Sequence, residues 1–396
     1  MPAKVVITGL GAVSPIGSTL EMYWTTLLYG ESLPSPHPYR RPEYMNNRLT
    51  YRVQDEIPVL VHAGEQTGRA STFAIRASEM ALRDAGFACP PTGEVFGMCL
   101  GTGTGDHDLI ETEREGGELA SPLGTFAFGV AGVVADRLHI TGPNLTVSNA
   151  CAAGCYSLSI ARDAITAGWA DVMVVGGVDS ISRVVHGAFN RLGAADPQVC
   201  RPFDAHRAGT LYGEGAAILI LESEAHARRR GQLHWYAEVK GYGWSCDGHH
   251  PTAPDPSGRQ SEQALRRALE DADTPSDAID CIVCHGTGTE LNDLAESNAL
   301  ERVFGDDISR LLACAIKSKL GHSAGAAGAF SCLTGALILD RELVPPTANL
   351  TTVDPRCRLN LHVDWPVPAS SVRNVLVNAL AFGGTNIAIV LGKAAT

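Results

Sequence analysis

The sequence predicts an α/β protein made of two fused, similarly folded halves, and three observations carry that reading. Short Val/Ile/Leu runs alternate with stretches of helical periodicity along the chain. The strand candidates are continuous apolar runs rather than alternating ones, as in strands covered on both faces. Four Gly-rich segments also recur in the same order. Gly9-Leu-Gly11 is echoed by Gly241-Tyr-Gly243, and Cys99-Leu-Gly-Thr-Gly-Thr-Gly-Asp106 by Cys284-His-Gly-Thr-Gly-Thr-Glu290. Ala150-Cys-Ala-Ala-Gly-Cys-Tyr-Ser157 is echoed by Ala324-Gly-Ala-Ala-Gly-Ala-Phe-Ser331, and Gly213-Glu-Gly-Ala-Ala-Ile-Leu-Ile-Leu221 by Gly383-Gly-Thr-Asn-Ile-Ala-Ile-Val-Leu391. The offsets are 232, 185, 174 and 170 residues. One such match is noise; four in series indicate duplication.

The halves are read as 1–232 and 233–396, joined near Ala227-Arg-Arg-Arg-Gly231. The offset falls by 47 between the first two echoes, so the N-terminal half carries a large insertion. Its natural place is the Pro- and Arg-rich stretch 32–61, within a cap spanning about 25–70. Strands are expected at 5–8, 95–100, 171–176 and 216–221 in the first half. The second half supplies 237–241, 279–284, 311–315, 374–380 and 387–391. Helices are expected at 70–84, 155–167, 261–271, 294–303 and 326–339.

Composition narrows the function classes. With 45% hydrophobic and 19% charged residues the chain is an ordinary globular one. No apolar run approaches the ~20 residues of a membrane span, and the N-terminus has no signal-peptide pattern. A net charge of −12 argues against nucleic acid as a partner. Eleven scattered cysteines, an odd number without a secretory signal, read as reduced thiols of a cytoplasmic protein.

Cys151 is the leading nucleophile candidate. It lies between a strand-like stretch (145–147) and a helical one (156–165), where unpaired N–H groups and the helix dipole favour an anion. Such a position is expected to lower a thiol pKa. Ala150, Ala152, Ala153 and Gly154 leave room for approach to the sulfur. A lone cysteine is more often a buried structural thiol, and two distant histidines decide against that. His285 ends a strand and opens His-Gly-Thr-Gly-Thr; His322 lies in Lys317-Ser-Lys-Leu-Gly-His-Ser-Ala-Gly, again at a strand-to-helix turn. In the duplicated frame His322 matches Ser148, three residues before Cys151, so a pseudo-twofold axis brings the two turns together.

These pieces resemble the beta-ketoacyl-[acyl carrier protein] synthases, elongating condensing enzymes of the thiolase fold. The matching segments are Asn149-Ala-Cys-Ala-Ala-Gly154, Arg201-Pro-Phe-Asp204, Gly213-Glu-Gly-Ala-Ala217, His285-Gly-Thr-Gly-Thr289, Lys317-Ser-Lys-Leu-Gly-His322 and Phe382-Gly-Gly-Thr-Asn386. Each is weak alone, whereas all six in order are specific. The resemblance implies two βαβαβαββ halves in a layered αβαβα arrangement and an acyltransferase acting in a dissociated fatty-acid or polyketide system. It implies that Cys151 takes an acyl chain, while His285 and His322 donate to the enolate of a decarboxylating malonyl thioester. It places Lys317 and Glu296 in a supporting network, Thr287 and Thr289 on the phosphopantetheine arm, and Phe382 at the oxyanion hole and gate. Thr104 falls where the acyl pocket is lined. Substrates ride on acyl carrier protein, with no cofactor or metal bound by the enzyme itself. A homodimer, or a heterodimer with a chain-length-factor-like subunit, is the implied assembly.

The chain departs from the common pattern at Cys155, a second thiol one turn on, at Ala381 before the Phe-Gly-Gly motif, and in the arm 187–200. These departures bear on chain length and pathway rather than on reaction type. Cys281-Ile-Val-Cys284 has zinc-like spacing but no second pair. Gly9-Leu-Gly11 lacks the third glycine of a dinucleotide loop. His249-His250 reads as a loop pair, and Arg228–Arg230 as a solvated helix end. The apolar run 171–176 is expected to be an edge strand covered by a second chain. Arg69, Arg191 and Arg207 are the candidates for a basic carrier-docking patch. Two rivals remain: a non-catalytic partner subunit, which would lack the nucleophile, and a cysteine hydrolase, in which the paired imidazoles would have no role.

Overall fold

The structure, a computed structural model, describes residues 3–37, 45–62, 65–88, 90, 93–117 and 126–394. Part of the expected cap, 38–44 and 63–64, lies outside the described residues. The main sheet is built from β1 (Val5–Val13), β2 (Phe96–Gly101), β3 (Asn144–Val147), β4 (Val172–Asp179), β5 (Gly215–Ser223), β6 (Ala237–Cys246), β7 (Cys281–Val283), β8 (Leu312–Cys314), β9 (Asn360–Leu361), β10 (Asn374–Ala381) and β11 (Thr385–Gly392). Their order is β9-β8-β7-β10-β11-β6-β1-β5-β4-β2-β3.

The seam between β1 and β6 is narrow, carrying the pairs Val6↔Glu238 and Ile7↔Ala237. Outward from it, β1-β5-β4-β2-β3 and β6-β11-β10-β7-β8 repeat one topology. In each half two antiparallel pairings are followed by two parallel ones. Even the register slip recurs, between Ile7 and Gly9 in β1 and between Val239 and Gly241 in β6.

The helices that matter for the site are α1 (Arg69–Asp84), α2 (Ala153–Thr166), α3 (Arg259–Asp271), α4 (Glu290–Phe304) and α5 (Ala327–Arg341). α1 covers the outer face of the first half-sheet, and α3 with α4 covers that of the second. α2 and α5 pack on each other between the sheets, completing the αβαβα layering. Every residue from Ala327 to Leu339 is buried. A helix apolar all round is what a central layer needs.

Three sequence expectations are corrected here. The strand expected at 171–176 is no edge: β4 lies between β5 and β2, and all eight of its residues are buried. Its apolarity comes from helices on both faces. The edge of that half-sheet is the short, partly exposed β3. The second correction is Arg230, which is no solvated residue. Its guanidinium binds buried Glu222 at 2.6 and 2.9 Å and stacks 4.1 Å from the Phe87 ring. The third concerns the patch. Arg69 forks onto buried Glu214 at 2.6 and 2.9 Å. Arg207 is buried and paired with Asp354 at 2.7 Å and Asp293 at 3.5 Å. Of the three candidates only Arg191 is exposed.

The insertion contributes short strands. Leu49–Tyr51 pairs in parallel with Tyr212–Gly213, bringing Tyr51 against the segment that precedes β5. Cys281 and Cys284 are both buried thiols at β7.

Candidate active site

Both nucleophile-type turns follow one design. β3 leads through a 3₁₀ turn, Ala150–Ala152, into α2; the turn Ala324–Ala326 leads into α5. Ala150 and Ala324, equivalent in the repeat, have φ of 45° and 44°. Left-handed backbone at an alanine is strained, and strain of this kind clusters at functional turns. The helices that follow approach backbone to backbone. A Cβ on Gly154 would meet Ala329 N at 2.6 Å, and one on Gly328 would meet Cys155 Sγ at 2.8 Å. The small residues that looked like room for a substrate thus also allow the close crossing of α2 and α5.

Cys151 stands at the head of this crossing and is buried. Its own N–H and that of Phe382 are among the groups that favour its thiolate. Phe382 is delivered by the return between β10 and β11, where Gly383 and Gly384 have φ of 86° and 72°. Only glycine adopts such angles readily, so the Phe-Gly-Gly sequence is what sets this turn. The sequence expectation of a lowered thiol pKa is corrected: burial pushes Cys151 up to about 11, with the Lys317 charge and the Phe382 N–H pulling the other way. The dipole of a helix start does not outweigh desolvation here.

His285 and His322 meet edge to face, with ring centroids 5.6 Å apart and planes at 84°. His285 is fixed from two sides. Its N–H and that of Gly286 donate to the Glu296 carboxylate at 2.7 and 2.8 Å, which also accepts from Asn378 at 2.8 Å. Lys317 Nζ donates to the His285 carbonyl and lies 3.3 Å from Nδ1. With Nδ1 facing an ammonium donor, the proton of a neutral ring sits on Nε2. His322 is held by its backbone, N–H to Leu211 O at 2.7 Å and C=O to Gly213 N–H at 3.0 Å. Its Nδ1 has no hydrogen-bond partner among the described residues. The network expected around Lys317 and Glu296 therefore runs through His285 and does not bond His322.

Burial and the Lys317 charge hold both imidazoles well below the ordinary histidine pKa, so both are neutral. Burial pushes Glu296 up to about 7 and lowers Lys317, with Glu296 the first charge to oppose the latter.

Cys151, His285, His322, Thr287, Thr289 and Phe382 all line one chamber of about 440 Å³. Thr287 and Thr289 bond hydroxyl to hydroxyl at 2.8 Å, and Asp293 accepts the Thr287 and Gly288 N–H groups. Thr104 lies outside the lining, its N–H and hydroxyl both turned to Asp179 at 2.9 and 3.1 Å. Sequence reading missed Phe189, whose ring lies 5.9 Å from His322 and 6.0 Å from Phe382. The arm 187–200 is unusual in composition, but nothing in its sequence says which side chain turns inward. Among the described residues no cluster of His, Cys, Asp or Glu could hold a metal ion, and no helix is long and apolar enough to cross a membrane.

With this geometry in hand, the comparisons with known proteins are specific. The family "Beta-ketoacyl synthase, N-terminal domain" matches residues 3–227 and "Beta-ketoacyl synthase, C-terminal domain" matches 236–351. A 3-oxoacyl-[acyl-carrier-protein] synthase 2 of Rhizobium meliloti is 35% identical over 98% of this chain and 99% of its own. Among solved structures, the ishigamide ketosynthase/chain length factor superposes with a TM-score of 0.90 at 37% identity, covering 100% of both chains. A type II polyketide acyl-carrier protein in complex with its ketosynthase bound to the hexaketide gives 0.89 at 28% identity, again covering 100% of both.

Proposed function

The chain belongs to the beta-ketoacyl synthase family, and from that premise we infer how its residues divide the work. It is an acyltransferase of the condensing type, joining a Cys-bound acyl chain to malonyl-acyl carrier protein with loss of carbon dioxide, in a dissociated fatty-acid or polyketide system. Cys151 attacks the acyl thioester, and the carrier thiol leaves with the proton that Cys151 gives up. The N–H groups of Cys151 and Phe382 are placed to receive the oxyanion of that step. The malonyl arm then enters past Thr287 and Thr289. As its C–C bond breaks, the electron pair moves onto the thioester oxygen, where Nε2–H of His285 and of His322 donate. The enolate carbon attacks the acyl carbonyl on Cys151; the new β-ketoacyl chain stays on the carrier, and the Cys151 thiolate that leaves takes a proton from solvent. Lys317 and Glu296 position His285. Thr104 is assigned to the acyl side, its loop after β2 being held by Asp179 at the end of β4.

The single observation that supports this reading best is the pairing of two neutral imidazoles in the Cys151 chamber. A hydrolase needs one base, and a non-catalytic partner subunit needs no nucleophile. The enzyme binds no cofactor of its own in this reading; its substrates arrive on the phosphopantetheine arm of a carrier protein. A second chain, either a copy or a chain-length-factor-like subunit, is assigned to the unpaired edge of β3. Helix Ala127–Leu138 packs on β3, and at its start Phe126 and Phe128, rings 5.5 Å apart, are exposed. We also set the boundary between the halves at 232/233 and the location in the cytoplasm.

Incubation with malonyl carrier protein tests the reaction class, since carbon dioxide release marks a condensing enzyme and thioester loss alone marks a hydrolase. Intact-mass analysis with an acyl carrier protein should show one acyl adduct, absent in Cys151→Ala. An adduct mapped to Cys155 would overturn the assignment.

A further inference from the structure

Asp179 ends β4 and is fully buried, and its hydrogen-bond partners among the described residues are neutral donors. One carboxylate oxygen accepts from the Thr102 hydroxyl at 2.9 Å and from the N–H and hydroxyl of Thr104 at 2.9 and 3.1 Å. The other accepts from Gly103 N–H at 2.8 Å and from Gly325 N–H at 2.6 Å. Residues 102–104 follow β2 in the first half, whereas Gly325 lies in the second-half turn Ala324–Ala326, three residues past His322. The two segments touch: a Cβ on Gly325 would meet Gly103 N at 2.7 Å and Asp179 Oδ2 at 2.8 Å. Burying a carboxylate without a cation is costly unless several donors converge on it. This one sits where it locks a loop of one half to the His322 turn of the other.

The same reach across the molecule occurs in both halves. Asp179 pairs with Gly215 and Ala381 with Thr385, and Gly215 and Thr385 are equivalent at the offset of 170. Asp179 therefore matches Ala381, which precedes Phe382. β10 packs on the Ala150–Ala152 turn, and the N–H of Phe382 just past its end favours the Cys151 thiolate. β4 packs on the Ala324–Ala326 turn, and its end supplies a carboxylate. That turn needs holding, because Ala324 has φ of 44° and such strain persists only where the surroundings over-determine it. His322 is tied by its backbone, and its Nδ1 has no hydrogen-bond partner among the described residues, so the aim of the ring follows the backbone that carries it. We propose that Asp179 is the positioning residue for His322, holding its turn so that Nε2–H meets the enolate oxygen. This rests on the condensing reading above, in which His322 serves decarboxylation and not the acylation of Cys151.

Asp179→Ala removes the clasp, and Asp179→Asn keeps its size but turns an amide NH2 group against a backbone N–H on whichever side it faces. The assay is carbon dioxide release from malonyl-acyl carrier protein, expressed per Cys151 that accepts an acyl group by intact mass, so misfolded protein drops out. That rate should fall about tenfold or more in Asp179→Ala. Acylation of Cys151 should continue, since the Asp179 charge opposes its thiolate. If Asp179→Ala yields no acylatable protein, Asp179→Asn carries the same comparison. Coupling to His322 is the readout that a general loosening would not move. Added to His322→Ala, the Asp179 change should cost less than about threefold more, whereas added to His285→Ala it should still cost about tenfold. An unchanged rate in the Asp179 variant, or an equal further loss in both histidine backgrounds, overturns the inference while the condensing reading stands. If the unaltered enzyme loses its thioester without releasing carbon dioxide, the condensing reading itself fails and takes this role of Asp179 with it.

Discussion

Gly154→Ala is the most searching perturbation of this site, because it adds one methyl group where the two half-molecules touch. The added Cβ would lie 2.6 Å from Ala329 N, 2.8 Å from Ala329 Cβ and 3.0 Å from Gly325 O. Ordinary contact begins at 3.4 Å, so α2 and α5 must separate by about 0.8 Å at this level. Backbone atoms of a packed helix cannot swing aside as a flexible side chain would. The separation is transmitted to both helix starts, which carry Cys151 on one side and the His322 turn on the other. Over-packing costs about 1–3 kcal/mol, while alanine gains about 1 kcal/mol over glycine in a helix, so the net loss is up to about 2 kcal/mol. The rate should suffer more, since a misplacement near 1 Å costs about 10²-fold in a positioned reaction. We expect condensation to fall by about ten- to a hundredfold with a small drop in Tm. Gly187→Ala is the control: it makes the same exchange within a helix, but its Cβ meets Met45 Cε at an ordinary 3.6 Å. That variant should be as active as the wild type. A Gly154→Ala enzyme that condenses at wild-type rate, with an equal or higher Tm, would refute the argument that this crossing sets the site.

In the proposed division of work, replacing His285 or His322 by Ala removes one donor to the enolate. Malonyl decarboxylation should fall by about 10²–10³ while acylation of Cys151, read by intact mass, persists; decarboxylation at the wild-type rate in both variants would reject the role. Far from the chamber, Glu222→Gln should cost about 3–5 kcal/mol in denaturant unfolding by stranding Arg230 and His226. Contact with Glu222 raises the His226 pKa, so that contribution is fully present below about pH 6.5 and is lost as pH rises through the folded pKa. The variant should lose most of this pH dependence, keeping the part that Glu94 supplies at 3.3 Å, yet retain its activity per folded molecule.

Much of this arrangement was legible in the sequence because duplication leaves its mark wherever backbone approach forbids a side chain. Gly9 and Gly241, Gly154 and Gly328 occupy equivalent close contacts, so their echoes survive drift. The apolar runs of β4 and β5 were equally plain, but whether such a run is internal or an exposed edge depends on neighbours that local pattern does not name. β3, the actual edge, is legible at 145–147 as a strand-like stretch, but nothing local marks it as the edge. Arg207 was misread for a related reason: its partners Asp293 and Asp354 are 86 and 147 residues away, so nothing local announces a buried ion pair. Helix His107–Arg114 has no buried residue and hence no apolar stripe to read.

The thiol shows why the site works as a unit rather than as a set of motifs. A helix start alone predicts a poised thiolate, whereas a pKa near 11 leaves about 10⁻⁴ of Cys151 ionised at pH 7. A thiol pKa pushed up and histidine pKa values pushed down by the same burial both disfavour a standing Cys–His ion pair. The same desolvation that disfavours the thiolate also disfavours imidazolium at His285 and His322. Neutral imidazoles can donate to an enolate oxygen without delivering a proton outright, so the developing carbon nucleophile is preserved. In a dry chamber each such hydrogen bond also counts for more than it would in water. In the proposed mechanism burial thus slows one half-reaction and enables the other. Lys317 reconciles them: its charge favours the Cys151 thiolate while its hydrogen bonds keep the His285 proton on Nε2, facing the chamber.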